Sequence, residues 1–230
     1  MRLISRYLQS INIPTDKAAD AENKFRVYRD FLIERNKLFN LTAITDPDEI
    51  DLKHFIDSLT ALAYIKGKTA DIGTGAGFPG VPLKIMLPEN EFTLIDSLSK
   101  RINFLNELTE KLGLLNVKTI HARAEDLDKC VKYDTIVSRA VSRLNTLCEY
   151  CLPFLNIGGM FIAYKAADCE EEINEAKPAI KKLGGKIVEV KEVELYNSDI
   201  VRKLVFIEKT NYTPLIYPRG QNKPKKQPLL

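Results

Sequence analysis

Residues 71–80, with the sequence DIGTGAGFPG, limit what this 230-residue chain can fold into more than any other segment. They overlap the end of a short predicted strand over 69–73, and glycines placed directly after a strand let the backbone turn tightly and approach a ligand closely. Twenty-five residues after Asp71, a second predicted strand over 92–96 ends in Asp96, whose carboxylate can accept two hydrogen bonds from a ribose. The pattern predicts a parallel sheet that holds an adenosine-containing cofactor at the carboxyl ends of its strands.

The segments that follow alternate between strand and helix patterns, which is typical of βαβ units. Three more strands are predicted over 117–120, 133–138 and 160–164. Helices are predicted over 80–86, 100–112 and 144–155. Two strands over 186–193 and 203–208 have no helix between them, so we expect an antiparallel pair at the end of the sheet.

The beginning of the chain has a helical periodicity instead. Apolar residues recur at spacings of three, four and seven between Thr15 and Phe39, and a second helix is predicted from Asp46 to about Ala63. We therefore divide the chain into three parts. They are an N-terminal helical extension over 1–66, a cofactor-binding core over 67–210 and a basic, proline-rich C-terminal tail over 211–230.

The net charge of +3 is concentrated in the tail. Residues 211–230 contain four basic side chains and no acidic one, and subtracting those four leaves a net −1 for residues 1–210. This distribution excludes a uniformly basic surface for nucleic acid and allows local contacts to phosphates. The tail itself is predicted to be extended and flexible. Without a signal-peptide pattern or a long apolar window, we expect a cytoplasmic protein with free thiols.

The glycine segment, as we call residues 71–80, is compatible with more than one nucleotide cofactor. Residues 75–80 fit the dinucleotide pattern G-x-G-x-x-G, but Pro79 and Pro82 stand where a phosphate-binding helix exposes its amides. Leu62 replaces the first glycine of a phosphate loop, which disfavours a nucleoside triphosphate. The carboxylate of Asp71 favours a cationic ligand, and S-adenosylmethionine carries a sulfonium and an ammonium group. We favour S-adenosylmethionine, with NAD and a plain structural turn as the alternatives.

Several segments together resemble the bacterial GidB/RsmG family, the small-subunit ribosomal RNA guanine-N7 methyltransferases. The resemblance extends from about residue 25 to residue 210. Lys53 departs from it because the family more often has arginine there. The positive charge is kept, but the paired hydrogen bonds that an arginine forms with a phosphate or carboxylate are lost. The segments are Asn36 with Asn40-Leu41-Thr42, residues 53–58 (KHFIDS), residues 73–80, residues 96–101 with Phe104 and Leu105, Ser138-Arg139-Ala140, and Lys165.

The resemblance implies a fold and an activity. The fold is α/β, a Rossmann-like class I S-adenosylmethionine-dependent methyltransferase with a mainly parallel seven-stranded sheet, a terminal antiparallel hairpin and the N-terminal helical extension. The activity is transfer of a methyl group from S-adenosylmethionine to N7 of a guanine in small-subunit (16S) ribosomal RNA. As partner we expect ribosomal RNA or the small ribosomal subunit, and we expect a monomer that binds no membrane.

The glycine segment and the resemblance together predict the residues of the site, without assigning a catalytic group. Cofactor contacts are expected from Asp71, Gly73, Gly75, Gly77, Phe78, Asp96, Ser97, Ala124, Glu125 and Arg139. Candidates for positioning the target base are Asn40, His54, Asp57, Arg139 and Lys165. RNA contacts are expected from Arg101, Arg143, Lys165, Arg219 and Lys223.

The chemistry of guanine N7 agrees with the residue types present. N7 carries an in-plane lone pair, so transfer requires alignment and exclusion of water, and no catalytic base. After the fourth predicted strand the chain has Ser138-Arg139-Ala140, where enzymes that methylate exocyclic amines usually have (N/D/S)-P-P-(Y/F/W). An arginine there is a natural fork partner for N7 and O6 of guanine.

Other patterns have simpler structural interpretations. Cys148 and Cys151 fall within a predicted helix, which favours buried apolar side chains over a redox pair. His54 and Asp57 lie one helical turn apart and form either a structural pair or part of the wall facing the base. His121 is interpreted as structural, and the spacing of the histidines predicts no metal site. Two functional alternatives stay open: a methyltransferase with another substrate, and a non-catalytic RNA-binding regulator.

Overall fold

A computed structural model describes residues 3–11, 13–139 and 142–230 of the chain. Its helices are α1 (Leu3–Ser10), α2 (Thr15–Phe39), α3 (Pro47–Ile50), α4 (Asp57–Leu59), α5 (Gly80–Met86), α6 (Ser99–Lys111), α7 (Leu144–Cys151), α8 (Glu170–Lys182) and α9 (Lys223–Lys226). A π-helical stretch, Asp51–Ile56, joins α3 to α4. The strands are β1 (Thr69–Ile72), β2 (Phe92–Asp96), β3 (Val117–His121), β4 (Tyr133–Arg139), β5 (Leu155–Ala166), β6 (Gly185–Glu194) and β7 (Val201–Lys209).

In the described part of the chain, seven strands form one sheet in the order β3-β2-β1-β4-β5-β7-β6. Strands β1 to β5 are parallel, and β7 is antiparallel to both β5 and β6. The predicted mainly parallel sheet with a terminal antiparallel hairpin is therefore confirmed. The order changes direction at β1, so the ends of β1, β2 and β4 meet at one edge, which is where parallel sheets bind ligands.

The two faces of the sheet are covered by different parts of the chain. Phe25, Tyr28 and Leu32 are buried on α2, which packs against α5 and α6 and so joins the N-terminal extension to the core. Helices α7 and α8 cover the opposite face. Cys148 and Cys151 are buried there as free thiols, and burial raises the pKa of both, so their interpretation as apolar core residues is confirmed.

Four elements differ from the predictions, and one of them is β5, which begins at Leu155 instead of residue 160. The predicted helix over 144–155 ends at Cys151, because Pro153 has no amide hydrogen to continue it. The second helix of the extension is interrupted by the π-helical stretch. Helix α8 was not predicted: its buried positions include Ala176 and Ala179, which give a weak apolar pattern.

The C-terminal tail differs from the prediction of an extended and flexible segment, because it packs on α7. Arg219 Nε and Nη2 donate to the two carboxylate oxygens of Glu149, at 2.9 and 2.7 Å, and Glu149 is fully buried. Tyr217 and Leu229 are buried in the same face of the core. Within the described ranges, no helix combines the length and the apolar character that crossing a bilayer requires.

Candidate active site

A cavity of about 470 Å³ opens at the carboxyl ends of β1, β2 and β4. Three parts of the chain build it. The core contributes Ile72–Ala76 and Phe78, Ile95–Ser97 and Arg101, Ala122–Glu125, Arg139, Ser142 and Tyr150. The extension contributes Leu41, Thr42 and His54, and the tail contributes Asn222 and Lys225.

The glycine segment shapes one wall of the cavity by its backbone. Gly75 has a φ of +62°, which favours glycine, and the position of its missing Cβ is open space. A Cβ on Gly77 would lie 2.6 Å from the hydroxyl oxygen of Tyr28. That hydroxyl donates to the carbonyl of Ala76 at 2.5 Å, so the extension holds the loop in place.

Asp71, the first residue of the glycine segment, does not line the cavity. Its Oδ2 accepts a hydrogen bond of 2.8 Å from the amide of Gly80, and the residue is fully buried. Burial raises the pKa of this carboxyl to about 7. Gly77 is likewise absent from the cavity lining. The structure therefore places both residues as supports of the loop, away from direct contact with a cavity ligand.

Asp96 lines the cavity, and both of its carboxylate oxygens are already engaged. Oδ2 accepts from the amide of Gly75 at 3.0 Å and Oδ1 from the amide of Leu98 at 2.9 Å. Arg101 Nη1 lies 3.1 Å from Oδ2 and 3.4 Å from Oδ1. Arg101, predicted to contact RNA, is thus paired with the predicted ribose ligand.

The opposite wall contains Ala124 and Glu125, on a short 3₁₀ turn after β3. Glu125 Oε1 accepts a hydrogen bond of 3.1 Å from the backbone amide of Asn222, and its side chain is almost wholly buried. Tyr150 closes this end, and burial, with the nearby Glu125 and Glu149, raises the pKa of its hydroxyl to about 12. The tail therefore helps to build this end of the cavity.

At the other end, His54 and Arg139 form a fixed pair. Arg139 Nη2 donates to His54 Nδ1 at 3.1 Å, and the imidazole stacks on Phe78 with ring centroids 4.4 Å apart. Burial, together with the positive charge of Arg139, lowers the pKa of His54 to about 3. His54 is therefore neutral at physiological pH.

Asp57 does not line the cavity; it anchors Arg139 from behind. Its Oδ2 accepts from Arg139 Nη1 at 3.0 Å, and Arg202 Nε lies 3.5 Å from the same oxygen. Arg139 Nη1 also donates to the carbonyl of Lys53 at 3.0 Å. These contacts fix the guanidinium against the π-helical stretch, a local irregularity that often accompanies functional sites.

Several residues predicted for base or RNA contact lie elsewhere. Asn40 is exposed with a φ of +49° where α2 ends, and its neighbours Leu41 and Thr42 line the cavity instead. Lys165 Nζ is committed to Glu172 at 2.6 Å and to the carbonyl of Ser142 at 3.0 Å. Ala140 of the predicted Ser-Arg-Ala motif lies outside the described residues.

The remaining predicted RNA contacts also lie away from the cavity lining. Arg143 is paired with Glu175, and Arg219 with Glu149. Lys223 is exposed at the start of α9. The predicted residues that do line the cavity are Gly73, Gly75, Phe78, Asp96, Ser97, Ala124, Glu125, Arg139, His54 and Arg101.

Sequence reasoning missed Thr42, Tyr150, Asn222 and Lys225 as cavity residues. Thr42 was part of a recognised segment without a role of its own. For the two tail residues no local signal exists, because contacts between parts of the chain far apart in sequence, among them the ion pair between residues 149 and 219, hold the tail in place. The described side chains include no group of three or more His, Cys, Asp or Glu residues arranged to hold a metal ion.

The family description "rRNA small subunit methyltransferase G" (GidB) matches residues 21–201 of the chain. A protein of Desulfitobacterium hafniense is 47% identical, over 96% of this chain and 94% of its own length. One of Acetivibrio thermocellus is 50% identical, over 90% of this chain and 88% of its own length. Both carry the name ribosomal RNA small subunit methyltransferase G.

Two solved structures show the same fold at low sequence identity. A precorrin-6y C5,15-methyltransferase of Geobacter metallireducens is 14% identical, with a TM-score of 0.53 over 66% of this chain and 87% of that one. TYW2 of M. jannaschii, solved in complex with AdoMet, is 19% identical, with a TM-score of 0.54 over 67% of this chain and 76% of that one. The fold is thus that of class I methyltransferases.

Proposed function

The chain belongs to the GidB family of rRNA small subunit methyltransferases G and is an enzyme that uses S-adenosylmethionine; from that premise we propose that its cavity delivers the methyl group to N7 of a guanine in 16S ribosomal RNA. In this proposal the extension over 1–66 forms the end that receives the base. The core over 67–210 holds the cofactor, and the tail over 211–230 closes the adenosine end.

The cavity residues fit S-adenosylmethionine. A volume of about 470 Å³ lies in the range of cofactor sites, and the open space at Gly75 admits a ligand against the backbone. Gly73, Gly75, Phe78, Ser97 and Ala124 would hold the cofactor, and Glu125 would accept from its adenine amine. The bound cofactor supplies an electrophilic methyl group on a sulfonium.

Asp96 is the proposed ribose ligand, and binding there requires a movement of Arg101. A carboxylate has about four acceptor directions, and in this structure two amides and the Arg101 guanidinium occupy them. The Arg101 side chain is about one-third exposed, so it can turn outward without losing a buried position. We infer that the ribose displaces it, which would leave its charge available for an RNA phosphate.

The observation that carries the proposal is the hydrogen bonding and protonation of His54. Its Nδ1 accepts from Arg139 and its pKa is about 3, so the imidazole does not serve as a general base near neutral pH. Guanine N7 needs no base. Its lone pair forms the new C–N bond as the bond between sulfur and the methyl carbon breaks, and the positive charge passes to the purine without loss of a proton.

The same proposal bears on two broader expectations, and the expected monomer stays a prediction. Ribosomal RNA as substrate supports a location in the bacterial cytoplasm. Arg143, Arg219 and Lys165 are held in ion pairs with acids. Lys223 is exposed, and Arg101 would leave its ion pair with Asp96 when the ribose binds, so these two are the better candidates for RNA contact among the predicted cations.

Incubation of the purified protein with labelled S-adenosylmethionine and with either small subunits or free 16S RNA tests the proposal. We expect label in RNA, and chain cleavage specific for N7-methylguanine should map it to one position. Label in other RNA atoms, in ribosomal protein or in neither would contradict the proposal. Comparison of the two substrates also shows whether naked RNA is accepted.

A further inference from the structure

Thr42 is held more rigidly than its place in a connecting segment suggests. It lies three residues beyond the end of α2 and lines the cavity beside His54. The side chain of Asn36 clamps its backbone from both sides: Asn36 Nδ2 donates to the Thr42 carbonyl, and the Thr42 amide donates to Asn36 Oδ1, each at 2.9 Å. These two hydrogen bonds fix the Thr42 backbone.

The hydrogen-bond direction at the Thr42 hydroxyl follows from Arg139. Arginine can only donate, so His54 Nδ1 must be the acceptor and the imidazole proton must be on Nε2. Nε2 lies 2.8 Å from Thr42 Oγ1 and therefore donates to it. The amide of Ile44 donates to the same oxygen at 3.1 Å.

Both lone pairs of the Thr42 hydroxyl are therefore occupied. A hydroxyl has two acceptor sites and one hydrogen, so Thr42 acts toward a cavity ligand only as a donor. No acceptor within residues 3–11, 13–139 and 142–230 receives that hydrogen. The direction cannot reverse, because Asp57 holds Arg139 and arginine keeps its protons in proteins.

Arg139, which sequence reasoning favoured as a fork to guanine, is unsuited to that part. Three of its hydrogens go to Lys53, Asp57 and His54. A fork on N7 and O6 would also occupy the N7 lone pair that must attack the methyl group. A donor that reaches O6 alone leaves that lone pair free.

We propose that the Thr42 hydroxyl donates a hydrogen bond to O6 of the target guanine and thereby selects guanine over adenine. Adenine presents an amine at that position, so two donors would face each other and neither would be satisfied. The inference rests on the proposed function, since it concerns the base that receives the methyl group. Thr42 is in this sense a specificity-determining residue, and His54 and Arg139 set its direction.

The test combines variants of the full-length protein with a change in the substrate. Target RNA is prepared with guanine or with 2-aminopurine, which lacks O6, at the methylated position. The reactivity of each RNA toward dimethyl sulfate corrects for the different nucleophilicity of N7. Thr42→Val removes the hydroxyl with little change in shape, and Thr42→Ser retains it.

We expect Thr42→Val to lower kcat/KM on guanine by about ten- to a hundredfold, and Thr42→Ser by no more than about threefold. Wild type should lose a similar factor on 2-aminopurine. Thr42→Val should show no further loss there, because the same hydrogen bond has already been removed.

If Thr42→Val lowers kcat/KM on 2-aminopurine by the same factor as on guanine, the two losses multiply and the inference is overturned. Thr42 would then act only by holding His54. Equal corrected rates of wild type on the two purines would overturn it without any variant, even if Thr42→Val does not fold. Wild-type failure to methylate guanine at N7 at all would instead overturn the proposed function, and this inference with it.

Discussion

The two ends of the cavity are built in different ways. At the base end, Asp57, Arg139, His54 and Thr42 form an unbroken series of partly buried hydrogen bonds. At the adenosine end, Glu125 contacts the backbone of a C-terminal tail that is held on α7 by the Arg219–Glu149 ion pair and by further hydrogen bonds and buried side chains. The base end is preorganised as one unit, while the adenosine end is closed by a separable segment. Damage to the first should reduce kcat, and damage to the second should raise the cofactor KM.

Arg139→Met tests the base end and should have the largest effect. Among the described residues it leaves Arg202 as the one basic partner of the buried Asp57 carboxylate, and it removes the donor to His54 Nδ1. We expect kcat to fall by about a thousandfold and the free energy of unfolding by about 3 kcal/mol. Steady-state kinetics and urea unfolding measure the two quantities.

Arg202→Met is the matched control, since Arg202 contacts the same Asp57 oxygen at 3.5 Å and does not line the cavity. It should change kcat by less than about threefold. Similar losses of kcat in the two variants would show that the charge balance at Asp57, rather than the hydrogen-bonded series, governs the base end.

Asp71→Asn tests the loop that the two ends share. The pKa of Asp71 is raised from 3.8 to about 7, so the folded state binds this proton more tightly than the unfolded state. The proton makes its full contribution to the free energy of unfolding below pH 3.8. This contribution, at most about 4 kcal/mol, is lost as the pH rises to about 7. The variant should lack this loss and be more stable than wild type at pH 8, while its amide oxygen still accepts from Gly80.

Thermal unfolding between pH 4 and pH 8 measures that difference. Asp46→Asn provides the control, because Asp46 is exposed at the start of α3, where asparagine also accepts from the Asp48 and Glu49 amides. This variant retains Asp71, so it should show the loss of stability that Asp71 causes as the pH rises to about 7. A parallel shift of Asp71→Asn at all pH values would contradict the assignment of the proton to Asp71.

Arg219→Met tests the adenosine end. It leaves the buried Glu149 carboxylate without its charged partner and loosens the attachment of the tail that contacts Glu125, so stability should fall by about 3 kcal/mol. The cofactor KM should rise by about tenfold. The kcat at saturating cofactor should stay within about twofold of wild type, because Thr42, His54 and Arg139 are untouched.

Lys226→Met removes one positive charge from the same tail at an exposed position and should leave the cofactor KM unchanged. The double variant Glu149→Gln/Arg219→Met should recover part of the stability, since no buried charge is left unpaired. A fall in kcat at constant KM in Arg219→Met would show that the two ends are coupled and the contrast between them is wrong.

The sequence predicted those parts of the molecule that depend on neighbouring residues. The strand–glycine–helix segment and the acid that ends β2 are local patterns, and the mainly parallel sheet with its terminal antiparallel hairpin follows from a family resemblance and from βαβ rules. Two features depend on pairs far apart in the chain and have no local pattern: the ion pair between residues 149 and 219 in the tail, and the hydrogen-bond direction imposed on Thr42 by Arg139. The capture of Lys165 by Glu172, seven residues later, could not be predicted because the helix that begins at Glu170 was not predicted. Ionic side chains in a sequence suggest ligands, and folding commits many of them to one another.

Arg101→Met should produce the smallest effect, at the point where the two ends approach each other. Arg101 occupies acceptor directions of Asp96 that the ribose is proposed to use, so its removal should tighten the binding of S-adenosylhomocysteine by about threefold, the amount expected for a partly exposed ion pair. The same variant should raise the KM for RNA, because a cation at the cavity mouth is lost. Lys100→Met removes the neighbouring positive charge, whose Nζ donates to the carbonyl of Phe39, and it should leave cofactor affinity unchanged. Calorimetry and kinetics separate the two effects. Weaker cofactor binding in Arg101→Met would mean that Arg101 supports Asp96 instead of competing for it, and the adenosine end would then be preorganised like the base end.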